Sequence, residues 1–191
     1  MTVCVFAASS NRIDNIFVQA ASRLGSLFAR SKINVIYGGG GIGLMGVLAD
    51  SVIENGGSIT GVIPSFMNDE GWGHPHVKDM IVTSDMGDRK KNMFARADAV
   101  VALPGGIGTL EELTEAITLK QLGLFKGPVI ILNTLDFYKY FIEFLEHMIT
   151  GNFLRIEHKG IWEIANTPEG VLTALSMNKG WIDDPRRIAK I

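Results

Sequence analysis

The chain has 191 residues, 47% of them hydrophobic and 20% charged, with a formal net charge of −2 at pH 7. This length suits one domain over residues 1–191, and the balance of charge disfavours a nucleic-acid surface, because the longest basic run is Arg89-Lys90-Lys91. Cys4 alone excludes an intramolecular disulfide, no apolar stretch reaches the ~18 residues of a membrane span, and no basic signal-peptide region begins the chain, so we expect a cytoplasmic protein without a membrane or nucleic-acid partner.

Short apolar runs alternate with helical patterns along the chain. Strands are predicted at residues 2–8, 34–39, 58–64, 80–84, 99–105 and 128–133. Helices are predicted at about residues 16–28, 44–54, 88–97, 110–122, 137–150 and 169–177. Residues 65–78 show no clear period, which predicts a long loop. The alternation predicts an α/β fold, a parallel sheet covered by helices on both faces.

Ligands bind such sheets at the carboxyl ends of the strands, and the first glycine-rich segment, YGGGGIGLMG (37–46), lies at such an end. Gly38, Gly40 and Gly43 fit the dinucleotide pattern G-x-G-x-x-G. However, the segment follows the second strand, and the third strand ends in Ile63-Pro64 without an acid to hold a ribose hydroxyl. We therefore expect a turn that contacts a phosphate or ribose, with a purely structural tight turn as the alternative.

The second glycine-rich segment, VALPGGIGTLEELTEA (101–116), joins a predicted strand to a predicted helix. Gly105, Gly106 and Gly108 leave backbone N–H groups uncovered. The helix adds free N–H groups and the positive end of its dipole, so a phosphate is the natural ligand. Arg89 and Lys90, on the preceding helix, can supply counter-charge.

Glu112 has two interpretations. Thr109-x-x-Glu112 matches a capping box, with Thr109 as the N-cap and Glu112 at N3. Local sequence favours this capping role over a catalytic one. Neighbouring residues diverge by ~100° around a helix, so we expect only one of Glu111 and Glu112 to face the crevice.

Several segments together resemble one protein family. PGGIGTLEE (104–112) fits the signature P-G-G-x-G-T-x-x-E, and MGDRKKNM (86–93) is close to M-H-E-R-K-A-x-M, with Gly87 and Asp88 in place of His and Glu. YGGGGIGLMG matches a further block, and FAASS (6–10) is similar to F-C-G-S-S. This chain therefore resembles the LOG family, cytokinin riboside 5′-monophosphate phosphoribohydrolases long labelled lysine decarboxylases, from about Val3 to Leu175.

The resemblance implies a Rossmann-like, doubly wound homodimer without a cofactor or metal. It implies hydrolysis of the N-glycosidic bond of an N6-substituted adenosine 5′-monophosphate, which releases the base and ribose 5-phosphate. Arg89 and Glu112 match the catalytic pair, so the resemblance favours catalysis over capping at Glu112. The expected substrate contacts are Ser9, Gly39, Gly40, Glu70, Lys90, Gly105, Gly106, Ile107, Gly108, Thr109, Leu110, Glu111 and Thr118.

In this chemistry Glu112 would stabilise the ribosyl cation that forms as the base leaves. Arg89 would either fix the phosphate or orient Glu112, and the sequence leaves both open. Two other functions stay open, a general AMP nucleosidase and a carrier that binds a phosphorylated nucleotide or cofactor without cutting it. His74 and His76 form H-x-H without a clear third ligand, which disfavours a metal, and Trp72 either stacks on a base or packs its loop.

Overall fold

The computed structural model describes residues 1–177, 180–182 and 185. Among these, the strands are β1 (Thr2–Phe6), β2 (Asn34–Tyr37), β3 (Ile59–Pro64), β4 (Asp79–Thr83), β5 (Ala99–Ala102), β6 (Val129–Leu132) and β7 (Trp162–Ala165). They form one sheet in the order β4-β3-β2-β1-β5-β6-β7, and every neighbouring pair is parallel. The prediction of a single domain over residues 1–191 extends past the described residues and stays a prediction.

The helices are α1 (Asn15–Arg30), α2 (Gly43–Glu54), α3 (Ser65–Asp69), α4 (Met86–Ala95), α5 (Ile107–Gln121), α6 (Lys139–Thr150) and α7 (Pro168–Met177). Short 3-10 turns occupy Thr134–Asp136 and Ile156–Gly160. Within the described ranges, none of the helices combines the length and the apolar character that crossing a bilayer requires.

Two apolar clusters, one on each face of the sheet, hold the helices in place. Side chains alternate between the faces of a strand, so Val3 and Val5 of β1 pack with α1, α2 and α7, whereas Cys4 and Phe6 pack with α4, α5 and α6. The parallel sheet with helices on both faces confirms the predicted α/β, Rossmann-like, doubly wound fold.

Two elements differ from the sequence prediction. Strand β7, Trp162–Ala165, was not predicted, because this four-residue edge strand carries Glu163 and has only its end residues buried. The predicted loop at residues 65–78 contains α3, which at five residues is too short to show a helical period. The helix is too short to show a helical period, and the strand lacks the continuous apolar run by which the other four-residue strands were recognised.

The sheet reverses its order of growth at β1. From β1 the chain adds β2, β3 and β4 on one side and β5, β6 and β7 on the other. The loops after β1 and β5 therefore diverge toward opposite faces, which opens a crevice at their carboxyl ends. The two loops remain tied by one hydrogen bond, in which the Ala8 amide donates to the Pro104 carbonyl at 3.2 Å.

Gly43, the first residue of α2, fits where no other residue would. Its φ is +66°, and a Cβ atom there would lie 2.7 Å from backbone atoms of Ala8 and Ser10. Its amide also donates to the Asn11 side chain at 2.9 Å. The start of α2 is thus pressed against the loop that follows β1.

Gly43→Ala is expected to destabilise the protein more than Gly56→Ala. Gly56 has a similar φ of +72° but no atom near the position of its missing Cβ. Alanine at residue 56 should therefore cost only the left-handed strain, about 1–2 kcal/mol, whereas alanine at residue 43 adds overpacking against backbone, roughly 1–3 kcal/mol more. Urea unfolding of the two variants measures the difference, and equal losses would contradict the close approach at Gly43.

Candidate active site

A cavity of about 500 Å³ opens at the crevice between the ends of β1 and β5. This volume lies within the range of sites that hold small molecules, about 300–1,000 Å³. Its walls come from the loops after β1, β2, β3 and β5 and from the first turns of α4 and α5. The lining residues are Ala7, Ala8, Ser9, Gly38, Gly40, Gly41, Ile42, Met45, Ile63, Met67, Trp72, Met86, Arg89, Gly106, Ile107, Gly108, Thr109, Glu111 and Glu112.

The start of α5 presents free backbone donors to this cavity. Its N-cap is Gly106, which has no side chain to accept from the first turn. The helical ladder begins with the Leu110 amide, which donates to the Gly106 carbonyl at 3.1 Å. The amides of Ile107, Gly108 and Thr109 precede that bond and have no partner within the helix. Together with the helix dipole they make a site for an anion.

The start of α2 is different, because protein acceptors already occupy it. The Gly43 amide donates to Asn11 Oδ1 at 2.9 Å, and the Met45 amide donates to the Ala8 carbonyl at 3.2 Å. Gly40 lines the cavity, whereas the neighbouring Gly39 is buried outside its lining. Of the two glycine-rich segments, the second therefore offers the free donors.

Arg89 extends from α4 beneath the ends of β2 and β3 and is only 7% exposed. Its Nε donates to the Val62 carbonyl and its Nη2 to the Gly38 carbonyl, both at 3.1 Å. A Cβ atom on Gly38 would lie 2.1 Å from Nη2. The first glycine-rich segment thus makes room for a buried guanidinium.

The remaining side of the guanidinium faces Glu112. Arg89 Nη1 lies 3.2 Å from Glu112 Oε1, and both side chains are buried. Burial raises the pKa of the Glu112 carboxyl to about 7, although the positive charge of Arg89 opposes the rise. This carboxyl can therefore gain or lose a proton near neutral pH while its position is fixed.

The predicted capping box is wrong. Helix α5 begins at Ile107, so Thr109 lies inside the first turn and Glu112 is the sixth helical residue. The Thr109 side chain instead packs against Gly105, where a Cβ atom would approach its hydroxyl to 2.1 Å. Glu112 is therefore not engaged in capping and is available to the cavity.

The expectation that only one of the two adjacent glutamates faces the crevice is also wrong, because both line the cavity. Glu111 pairs with Lys90, whose Nζ also lies 2.7 Å from Glu115. Lys90 is outside the cavity lining. Both predicted counter-charges, Arg89 and Lys90, are thus neutralised by carboxylates, which leaves the amides of α5 as the anion donors.

The other predicted contacts fall into two groups. The structure brings Ser9, Gly40, Gly106, Ile107, Gly108 and Thr109 to the cavity. It places Glu70 at the exposed end of α3 and Thr118 farther along α5, where the Thr118 hydroxyl donates to the Thr114 carbonyl at 2.8 Å. Gly105 lies beneath the loop, and Leu110 packs against the core.

An apolar wall opposite α5 was missed by the sequence interpretation, except for Trp72. It consists of Ile42, Met45, Ile63, Met67, Trp72 and Met86. Trp72 is half exposed, and its carbonyl accepts from the Gly41 amide at 3.1 Å. Only the position of these residues near strand ends pointed to the cavity, because their residue types are equally typical of a core.

His74 and His76 meet a third polar residue that the sequence did not reveal, Asp50 of α2. Donor atoms of the three side chains lie within 4.8 Å of one another. His74 Nδ1 accepts from the His76 amide at 3.2 Å, so the ring proton sits on Nε2, which faces Asp50 Oδ1 at 3.2 Å. In this tautomer Nε2 donates to the carboxylate and has no lone pair to offer a metal, so the contact fastens the loop of Trp72 to α2.

Glu112→Gln is expected to change how stability depends on pH. The folded pKa of Glu112 is about 7 and its ordinary value 4.5, so between these values the folded state binds a proton that the unfolded state does not. The contribution of Glu112 to the free energy of unfolding therefore falls as the pH rises through this window. Because glutamine does not titrate, the stability of the variant minus that of the wild type should rise from about pH 4.5 to about pH 7.

Urea unfolding at a series of pH values measures this difference. Glu54→Gln, at the exposed end of α2, is the matched control for the loss of one carboxylate. A flat difference for Glu112→Gln would contradict the buried environment of the carboxyl.

Known proteins share both the sequence motifs and this architecture. A family model described as "Possible lysine decarboxylase" matches residues 45–175. A cytokinin riboside 5′-monophosphate phosphoribohydrolase of Rhodococcoides fascians is 34% identical over 91% of this chain and 88% of its own. Proteins with the same activity in their names are 35% identical in Arabidopsis thaliana, over 93% of this chain and 78% of that protein, and 42% identical in Oryza sativa subsp. japonica, over 80% and 63%.

Solved structures have the same fold. A structural-genomics target determined by X-ray crystallography superposes with a TM-score of 0.73 and 25% identity, covering 93% of this chain and 99% of that one. The molybdenum cofactor carrier protein of Chlamydomonas reinhardtii superposes with a TM-score of 0.70 and 22% identity over 92% and 95%, a likeness that concerns the fold alone. The family match, the relatives named as phosphoribohydrolases and the shared fold together show that this chain belongs to the LOG family.

Proposed function

We propose that this protein hydrolyses the N-glycosidic bond of N6-substituted adenosine 5′-monophosphates, releasing the free base and ribose 5-phosphate. Relatives that cover most of the chain are named for this activity. The observation that carries the proposal is the placement of a buried carboxyl, Glu112, in the same cavity as the free amides of one helix start. The amides can bind the anionic phosphate, and the carboxylate can stabilise the positive charge that develops on the sugar. The reaction needs these two features side by side.

The 5′-phosphate binds at the start of α5. Three residues that line the cavity, Ile107, Gly108 and Thr109, carry the unpaired amides of the first turn, and the helix dipole adds to their attraction for an anion. The cations nearby are already paired with carboxylates. Phosphate recognition in this proposal therefore relies on neutral donors whose positions are fixed by the backbone.

Glu112 acts on the anomeric carbon. As the base leaves, positive charge develops on the ribose, and an ionised carboxylate in a water-poor site stabilises that charge far better than one in bulk water. The same carboxylate can accept a proton from the attacking water. Both roles require the ionised form, so activity should increase as the pH rises through about 7, the pKa of this group.

Arg89 positions Glu112 rather than gripping the phosphate. Its Nε and Nη2 donate to the carbonyls of Val62 and Gly38, and its Nη1 forms an ion pair with Glu112 at 3.2 Å. A planar guanidinium can meet three acceptors in fixed directions, whereas a lysine ammonium would leave the two carbonyls without donors. These contacts support a positioning role for Arg89.

The base lies against the apolar wall, which can accommodate an apolar N6 substituent. Trp72 offers an aromatic face, and methionine side chains adapt to irregular shapes. Glu70, Lys90 and Thr118 stay predicted contacts, since none of them lines the cavity of one chain.

We also propose a homodimer that works in the cytoplasm, where nucleotide substrates are made. In support of the homodimer, α6 and the turn before it expose a row of aromatic side chains. Phe137, Tyr140 and Phe144 are 45%, 78% and 54% exposed and follow one another at helical spacing. A contiguous apolar row of this kind is typical of a protein–protein contact.

Base release from isopentenyl-AMP and AMP tests the proposed function directly. Free base from the first alone supports a cytokinin-activating enzyme, free base from both supports a general nucleosidase, and binding of either without cleavage supports a carrier. Glu112→Gln should lower kcat by about 100-fold or more because the charge is lost, and Arg89→Lys should lower it less. A Glu112→Gln variant with wild-type kcat would refute the catalytic assignment.

Removal of the 5′-phosphate should impair catalysis as well as binding. Binding energy at the α5 amides places the anomeric carbon beside Glu112, so a nucleoside should react with a lower kcat and a higher KM than its monophosphate. Steady-state kinetics with isopentenyladenosine and isopentenyl-AMP measures both parameters. Equal kinetics for the two substrates would contradict binding of the 5′-phosphate by the amides of α5.

A further inference from the structure

Met86 has a contact that none of the roles above uses. It is the first residue of α4, it lines the cavity, and 37% of its surface is exposed. Its Sδ lies 3.9 Å from Arg89 Nη1, the same nitrogen that lies 3.2 Å from Glu112 Oε1. The thioether is therefore within direct reach of the guanidinium that fixes the reactive carboxyl.

The N–H groups of Arg89 show what this sulfur does. A guanidinium has five, and two of those on Arg89 donate to the carbonyls of Val62 and Gly38. A third, on Nη1, faces the Met86 sulfur, and the same nitrogen lies 3.2 Å from Glu112 Oε1. A thioether is a weak acceptor, so this N–H is held less firmly than the two that donate to carbonyls.

We propose that Met86 is a modification site. Its oxidation to the sulfoxide by a peroxide places an oxygen that can accept a hydrogen bond from the Arg89 guanidinium and inactivates the enzyme. In this step the sulfur lone pair attacks one peroxide oxygen, a new S–O bond forms, the O–O bond breaks and water leaves. Sulfur is oxidised by two electrons and the peroxide is reduced. The sulfoxide oxygen is a strong acceptor, and a hydrogen bond to a charged donor is about twice as strong as a neutral one.

The effect follows from the new acceptor. The sulfur is already in contact with Nη1 at 3.9 Å, so an oxygen bonded to the sulfur on the side of the guanidinium, off the direct line, would lie within hydrogen-bond distance of that nitrogen. The sulfoxide oxygen then competes with Glu112 for Nη1, and the apolar wall gains a polar group at its edge. This inference rests on the proposed function, because the inactivated reaction is the hydrolysis by Glu112.

Other methionines supply the controls. Met45 and Met67 also line the cavity but are less exposed, and the sulfur that accepts from the guanidinium is that of Met86. Met177, at the end of α7, is 68% exposed and outside the cavity lining. Met177 therefore reports that the oxidant has reacted at the surface without affecting the site.

The full-length protein is treated with hydrogen peroxide, sulfoxides are mapped by peptide mass spectrometry, and kcat/KM for isopentenyl-AMP is compared with that of the same protein before treatment. The wild type should lose about tenfold or more, in proportion to the Met86 sulfoxide, and methionine sulfoxide reductases should restore it. Met86→Leu should keep its own untreated value although Met177 is oxidised, whereas Met67→Leu should be as sensitive as the wild type. Met86→Ile replaces the leucine variant if circular dichroism shows that the latter does not fold.

Three results would overturn the inference: full activity with Met86 oxidised, equal loss in Met86→Leu, or a Met86 that stays reduced while Met177 is oxidised. If the untreated wild type releases no base from any nucleotide, the proposed function fails instead. Calorimetric titration with AMP then tests the inference independently of the proposed function. Oxidation of Met86 should still weaken AMP binding about tenfold. Unchanged binding would refute the inference by itself.

Discussion

The buried pair of Arg89 and Glu112 is the constraint around which this site is arranged. Two charges taken out of water need partners for each of their polar groups, or the desolvation penalty is not offset. Here the guanidinium reaches two backbone carbonyls as well as the carboxylate, which lies 3.2 Å away. The ends of β2 and β3 and the first turns of α4 and α5 must therefore keep their relative positions, and the cavity walls are fixed as a consequence.

This constraint explains why two glycine-rich segments have different tasks. At Gly38 the missing side chain leaves space for a guanidinium, since a Cβ atom would lie 2.1 Å from Nη2. At Gly106 the missing side chain leaves the start of α5 without a cap and its amides open to the cavity. Asn11 and Ala8 fill the same positions at α2. A turn whose backbone N–H groups already have protein acceptors serves packing, whereas a turn whose N–H groups are free can bind a ligand. The number of glycines does not distinguish the two.

The parallel sheet and the position of its crevice could be predicted, because buried parallel strands are continuous apolar runs and their loops meet at one edge. The pairing of Arg89 with Glu112 was accessible only through the family motif. The capping box was predicted wrongly because Thr109-x-x-Glu112 has the right spacing, but the N-cap is Gly106 and the helix starts at Ile107. The partners of Lys90 lie on another helix, 21 residues away in the case of Glu111, and only tertiary packing brings them together.

The balance of charge within the protein decides what is left for a ligand. Arg89 and Lys90 are each matched by carboxylates, so the free groups in the cavity are neutral amides, weak thioether acceptors and an apolar wall. A nucleotide then has its anionic end on backbone donors and its base on apolar side chains, and the glycosidic bond falls between them. Glu112 is the buried ionisable group at that point, and the burial that raises its pKa to about 7 also excludes the water that would screen its charge from a developing cation. The same desolvation therefore makes the carboxylate costly to ionise and effective once it is ionised.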